Sequence, residues 1–197
     1  MRFSSEAELR CYLSGASRDG TYSSRHRTLR ISQKGTEWLE VLRLALGELG
    51  SKSWMYREGK RDVFTLETTW CSMLVPRNHR ERVAFARGYF DAEGGVPRNP
   101  DARFYVQLVQ KDLRDLDFVR GCLESVGIKC GKIHNPSVAV DPDYWRFFVR
   151  ASSQTEFCRI VSSWHPRKRP LLEKHIRSRT MADSATLDGW EQTRITS

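Results

Sequence analysis

Apolar side chains recur as Leu39, Leu42, Leu46 and Leu49, a spacing that winds onto one face of an α-helix. The same stripe returns 77 residues later as Leu116, Val119, Leu123 and Val126. Both runs stop at a glycine, Gly50 and Gly127, the residue suited to a left-handed helix end. Both follow a Gln-Lys pair at the same offset, Gln33-Lys34 and Gln110-Lys111. Ahead of each pair the pattern changes to alternation. Leu29 and Ile31 face in while Thr28, Arg30 and Ser32 face out; Phe104, Val106 and Leu108 face in while Arg103, Tyr105 and Gln107 face out. After each helix come two further strand-like runs, 53–57 with 62–68 and 132–134 with 144–150, then a helical segment at about 70–74 and at 154–163.

The chain is thus an internal repeat of helix, hairpin, helix, hairpin, helix. It predicts an α+β protein of two pseudo-symmetric αββαββα subdomains, each with an antiparallel sheet covered by helices on one face. The subdomains are expected at 1–75 and 76–177. Residues 178–197 have no counterpart and read as a loosely held tail or a short helix around 187–190.

Of 197 residues, 39% are hydrophobic and 29% charged, too apolar for a disordered chain. No run is long and uncharged enough for a membrane-spanning helix, so no membrane association is expected. The stretch Met1-Arg2-Phe3-Ser4-Ser5-Glu6 lacks the apolar run of a secretory signal. The cysteines, Cys11, Cys71, Cys122, Cys130 and Cys158, show no CxxC spacing, and the histidines no zinc-binding pair. A reduced, intracellular protein without a structural metal is expected, cytoplasmic or organellar rather than secreted. The net charge of +9 and pI of about 9.6 favour a polyanionic partner, because each phosphate neutralised by Lys or Arg releases counterions. The charge recurs in strand-like segments, at Arg25, Arg27 and Arg30, at Arg57, Lys60 and Arg61, and at Arg146 and Arg150. That places it on a face of the fold.

Each half opens on a helix with small residues on one side, ending in an acid before glycine. These are Tyr12-Leu13-Ser14-Gly15-Ala16-Ser17-Arg18-Asp19-Gly20 and Gly88-Tyr89-Phe90-Asp91-Ala92-Glu93-Gly94. An acid at a helix carboxy terminus opposes the macrodipole. If the two helices pair about a pseudo-twofold axis, Asp19 and Glu93 meet, and adjacent carboxylates repel unless protonated or bridged by a cation. Oxygen ligands of this kind suit Mg²⁺, which takes one or two carboxylates plus water and phosphate oxygens. Beside a basic face, that combination points to metal-assisted phosphodiester hydrolysis.

These residues resemble the single-chain LAGLIDADG homing endonucleases, which carry two tandem copies of such a motif; the resemblance runs from about residue 6 to 177. In the second copy Glu93 replaces the usual final Asp. In the first, Gly15 to Asp19 is one residue shorter than Gly88 to Glu93, so either Ser14 takes the packing position or the helix end has lost a residue. The resemblance implies motif helices at the subdomain interface and two saddle-like sheets along the major groove. It implies a monomer that needs no protein partner and makes a staggered cut in double-stranded DNA at a long asymmetric site. Asp19 and Glu93 would hold Mg²⁺, with Mn²⁺ or Ca²⁺ able to occupy the same site. Gln33 and Gln110 match the family's polar position. Arg114 matches a basic position where the first repeat has Glu37, and Lys168 matches the basic residue after the last helix of a half. The first-half counterpart of Lys168 is Asn78 by simple alignment, with Arg77 or Arg80 as substitutes, so two unequal sites are expected. DNA readers would be Thr28, Arg30, Ser32, Arg61 and Thr65 in one half and Arg103, Tyr105, Gln107, Arg146 and Arg150 in the other. The competing reading is a DNA- or RNA-binding protein on the same scaffold that does not cleave, such as an intron maturase or a regulator.

Overall fold

A computed structural model describes residues 5–194 apart from 61, 73 and 100, with side chains as far as Met181. The first half comprises α1 (Glu6–Ala16), β1 (Thr21–Ser23), β2 (Thr28–Lys34), α2 (Glu37–Glu48), β3 (Ser53–Arg57) and β4 (Val63–Thr68). The second comprises α3 (His79–Glu93), β5 (Gly94–Gly95), β6 (Gln107–Gln110), α4 (Leu113–Ser125), β7 (Trp145–Phe148) and α5 (Gln154–Ile160), followed by α6 (Arg169–Arg194). Two antiparallel sheets result, ordered β1-β2-β4-β3 and β5-β6-β7. The fold class is α+β with antiparallel sheets, as the repeat predicts.

The apolar stripes account for the packing. Leu39, Leu42 and Leu46 on α2, and Leu116, Val119 and Leu123 on α4, are buried against the inward sheet residues Ile31, Leu66, Leu108 and Phe147. Both helices end in the same backbone motif. Gly50 and Gly127 take φ of +66° and +87°, while the following amides, Ser51 and Ile128, donate back to Leu46 O and Leu123 O. This is the paired-carbonyl stop that a left-handed glycine permits. α1 and α3 pack side by side, and the buried residues of both halves form one continuous core.

Local structure departs from expectation in four places. Residues 70–72 and 74–77 form no helix: Pro76 disfavours helical backbone before it, and Ser14 Oγ on α1 binds the segment by donating to Ser72 O and accepting from Leu74 N. The strand expected from Arg103 pairs only from Gln107, where β6 gains partners on both sides. The strand expected at 132–134 reduces to isolated bridges, Cys130 with Val149 and His134 with Arg146. Finally, α6 runs unbroken across residues 178–194, where a loose tail or a short helix is expected, and residues 195–197 lie outside the described residues.

Candidate functional site

The site is set by how closely two backbones approach. A Cβ added to Gly15 would lie 2.1 Å from Phe85 O, and one added to Gly88 would lie 2.0 Å from Tyr12 O. The contacts are reciprocal, so Gly15 is the packing residue of the first motif and Ser14 is not. The motif has therefore lost a residue near its end, and the backbone compensates. α1 tightens after Ala16 into a 3₁₀ turn over Ser17–Asp19. At ~2.0 Å rise per 3₁₀ residue against ~1.5 Å per α residue, Gly15 to Asp19 and Gly88 to Glu93 both span about 7.5 Å. The two acids thus reach matching heights at adjacent helix ends.

Each acid is held by a glutamine from the strand beside it. Gln33 Nε2 donates to Asp19 Oδ2 at 2.7 Å, and Gln110 Nε2 donates to Glu93 Oε1 at 3.1 Å. The Gln110 amide also reaches Arg18 O at 3.4 Å, tying the second site to the residue before Asp19. Burial raises the pKa of Asp19. Burial, and then the charge of Asp19, push Glu93 up to about 7. Two desolvated carboxylates in mutual repulsion, each with lone pairs left over, make a hard oxygen donor set. They fit a divalent cation that completes its shell with water or phosphate. Among the described residues no group of three or more His, Cys, Asp or Glu side chains could hold a metal.

Lys168 resolves the unfavourable helix end. Its Nζ donates to Phe90 O at 2.7 Å and Asp91 O at 2.8 Å, capping the last turn of α3 with a cation. Burial lowers its pKa to about 8, against the pull of Asp91, Glu93 and Asp19. Lys168 lines a cavity of about 740 Å³ with Gln33, Lys34, Arg98, His165 and Arg167. His165 stacks on Trp38 at 5.7 Å and accepts the Arg167 amide on Nδ1; burial foremost lowers its pKa to about 4.

The expected first-half counterpart of Lys168 fails on position. Asn78 caps the amino terminus of α3, accepting from Glu81 N, and Arg77 and Arg80 flank it. The 15-residue helix sets them roughly 20 Å from Glu93. Arg114 is exposed in the first turn of α4, and no hydrogen bond or ion pair among the described residues links it to the acids. At the matching position Glu37 pairs across the halves with Arg167 at 3.0 Å, and Arg18 pairs with Asp115 at 2.5 Å.

The reading faces are mixed. Arg30 and Ser32 point out on the first sheet, but Thr28 and Thr65 are only 3% and 2% exposed, so they are not open to a ligand. Thr28 donates to Glu67 and Thr65 shares a hydrogen bond with Ser32, which closes them off. Arg61 lies outside the described residues. On the second sheet Arg146 and Arg150 are accessible, with Arg146 over the Phe148 ring and Tyr105 against its edge. Gln107 is half-buried, and Arg103 is exposed in the segment leading to β6.

Residues 80–160 match the LAGLIDADG-like domain family. That match spans 81 of the 197 residues. The chain's fold is that of the LAGLIDADG proteins of known structure. I-DmoI in complex with DNA and Mn superposes with a TM-score of 0.58 at 15% identity, over 80% of this chain and 98% of that one. Mesophilic variants of the homing endonuclease I-DmoI give 0.62 at 18%, over 86% and 99%. Full-length WhiA from Thermatoga maritima gives 0.73 at 16%, over 99% and 69%. No curated protein sequence matches significantly.

One residue of this core escapes sequence reasoning. Asp91 is 1% exposed and accepts from Tyr12 Oη at 2.9 Å, from Trp164 N at 3.0 Å and from Ser163 Oγ. It fastens α1, α3 and the segment leading to Lys168 together. Only its place two residues before Glu93 could have drawn attention to it.

Proposed function

We propose that the protein is a sequence-specific, Mg²⁺-dependent endonuclease acting on double-stranded DNA as a monomer, cutting both strands in a stagger at a long asymmetric site. The observation that carries this reading is the matched pair Asp19–Gln33 and Glu93–Gln110 at the ends of two touching helices. A bound divalent cation supplies charge stabilisation and a more acidic water at the scissile phosphodiester. The chain's own residues do the rest. Asp19 and Glu93 offer the oxygens; Gln33 and Gln110 fix their orientation. Lys168 keeps a positive charge at the cavity wall where phosphate charge accumulates. Arg30, Ser32, Arg103, Tyr105, Gln107, Arg146 and Arg150 face the groove from the two sheets. The structures of I-DmoI with DNA and with Mn, Mg or Ca support the choice of partner and cation.

Incubation with Mg²⁺ and a randomised duplex library tests this. Cut molecules sharing one long motif are expected, and Asp19→Asn or Glu93→Gln should lower cleavage by at least about a hundredfold while binding persists. The second reading, a binding protein that does not cleave, draws on WhiA, whose structure spans nearly the whole of this chain. It also draws on the absence of a first-half counterpart to Lys168 among the described residues. Enrichment of a bound site with no cutting would favour it.

A further inference from the structure

Glu67 sits at the centre of the uncovered face of the first sheet. β4 is an inner strand, and its register places Glu67 directly opposite Arg30 on β2 and Trp54 on β3. Glu67 is 5% exposed, and its carboxylate accepts two hydrogen bonds and makes one ion pair. Thr28 Oγ1 donates to Oε1 at 2.5 Å, Tyr56 Oη donates to Oε2 at 3.2 Å, and Arg30 Nε lies 3.2 Å from Oε1 as an ion pair. Arg30 itself is 41% exposed, and among the described residues its two terminal nitrogens have no partner.

We infer that Glu67 is a positioning residue for sequence recognition, fixing Arg30 so that its free terminal nitrogens read a guanine in the major groove. The inference rests on the DNA-binding reading above. A guanidinium whose Nε side is held by charge against a buried carboxylate presents its remaining fork to the two acceptors, O6 and N7, that guanine offers there. Pinning also removes much of the conformational freedom that an unrestrained arginine would lose on binding. Because Glu67 neutralises it, Arg30 adds little to general phosphate attraction. Its contribution is to discrimination between sequences, where an unpaired arginine would add affinity for any sequence. Thr28 and Tyr56 hold the carboxylate in turn, which explains why an outward threonine on a reading strand is buried.

The test is a binding selection from a randomised duplex library in Ca²⁺, so that cleavage plays no part. Wild type, Arg30→Lys and Glu67→Gln are compared, and thermal melting confirms that each is folded. The wild type is expected to select a guanine at one position of one half-site. Both variants should lose that preference by about tenfold to a hundredfold while preferences elsewhere stay unchanged; the salt dependence of non-specific binding should hold in Arg30→Lys and steepen in Glu67→Gln, which leaves Arg30 unpaired. Should Glu67→Gln fail to fold, Thr28→Val, which removes one support of the carboxylate, is expected to weaken the same preference. A selected site in which Arg30→Lys alters no guanine, or in which Glu67→Gln leaves the profile intact, overturns this inference alone. Failure to enrich any site overturns it together with the DNA-binding reading.

Discussion

Glu93 and His165 show how burial sets chemistry residue by residue. With its pKa raised from 4.5 to about 7, Glu93 holds its proton more tightly in the folded chain than in the unfolded one. The stability this contributes is complete below about pH 4.5 and is lost as pH rises through 7. His165, lowered from 6.5 to about 4, acts in the opposite sense: its contribution is present above pH 6.5 and lost as pH falls through 4. The two oppose each other across most of that range, so the wild-type curve conceals both. Comparing wild type with Glu93→Gln in EDTA separates them. The melting temperatures should nearly coincide at pH 4.5 and diverge towards pH 8, the variant ending several degrees higher. A difference that does not change with pH would refute the assigned shift. Adding a divalent cation at pH 8 should raise the wild type and leave Glu93→Gln largely unaffected.

Among the elements, the α1–α3 contact is the one that tolerates no change. Gly15 and Gly88 each face backbone atoms of the partner helix, which cannot swing aside as a side chain can. Gly88→Ala should therefore cost at least about 3 kcal/mol, roughly 10 °C in melting temperature, by forcing the helices apart. Gly121 in α4 has nothing within 4 Å of an added Cβ, so Gly121→Ala should be neutral or stabilise by up to about 1 kcal/mol. Differential scanning of the two variants checks both statements, and equal effects would mean that the close approach does not govern the interface. The 3₁₀ turn over Ser17–Asp19 belongs to the same contact. Restoring the missing residue ahead of Asp19 should carry the acid past Gln33 and reduce cleavage rather than improve it.

In the whole molecule the symmetry is real but incomplete. Two acids and two glutamines match, yet among the described residues one lysine serves the pair, and the cross-half ion pairs are Arg18–Asp115 on one side and Glu37–Arg167 on the other. The two DNA strands should accordingly be cut at different rates. A strand-resolved time course should show one strand cleaved several-fold faster, and Lys168→Met should slow that strand more and narrow the ratio. Equal rates in the wild type would count against a single lysine setting the asymmetry.

The helices, the repeat and the candidate acids were legible in the chain because they depend on local periodicity and on residue type. Leu39 to Leu49 and Leu116 to Val126 specify buried helix faces wherever those helices lie, and an acid before glycine ends each motif whatever it touches. Tertiary structure decided what depends on distant neighbours. Alternation puts Thr28 on the outward side of its strand, but Glu67, 39 residues away, closes it off. Asp91 acquires its role from Tyr12, Ser163 and Trp164, at least 72 residues distant. Whether Ser14 or Gly15 packs, and whether a shortened motif still brings Asp19 level with Glu93, follow from where a second backbone lies. No pattern along one strand of sequence encodes that distance, because it is set by the closest approach two helices can make.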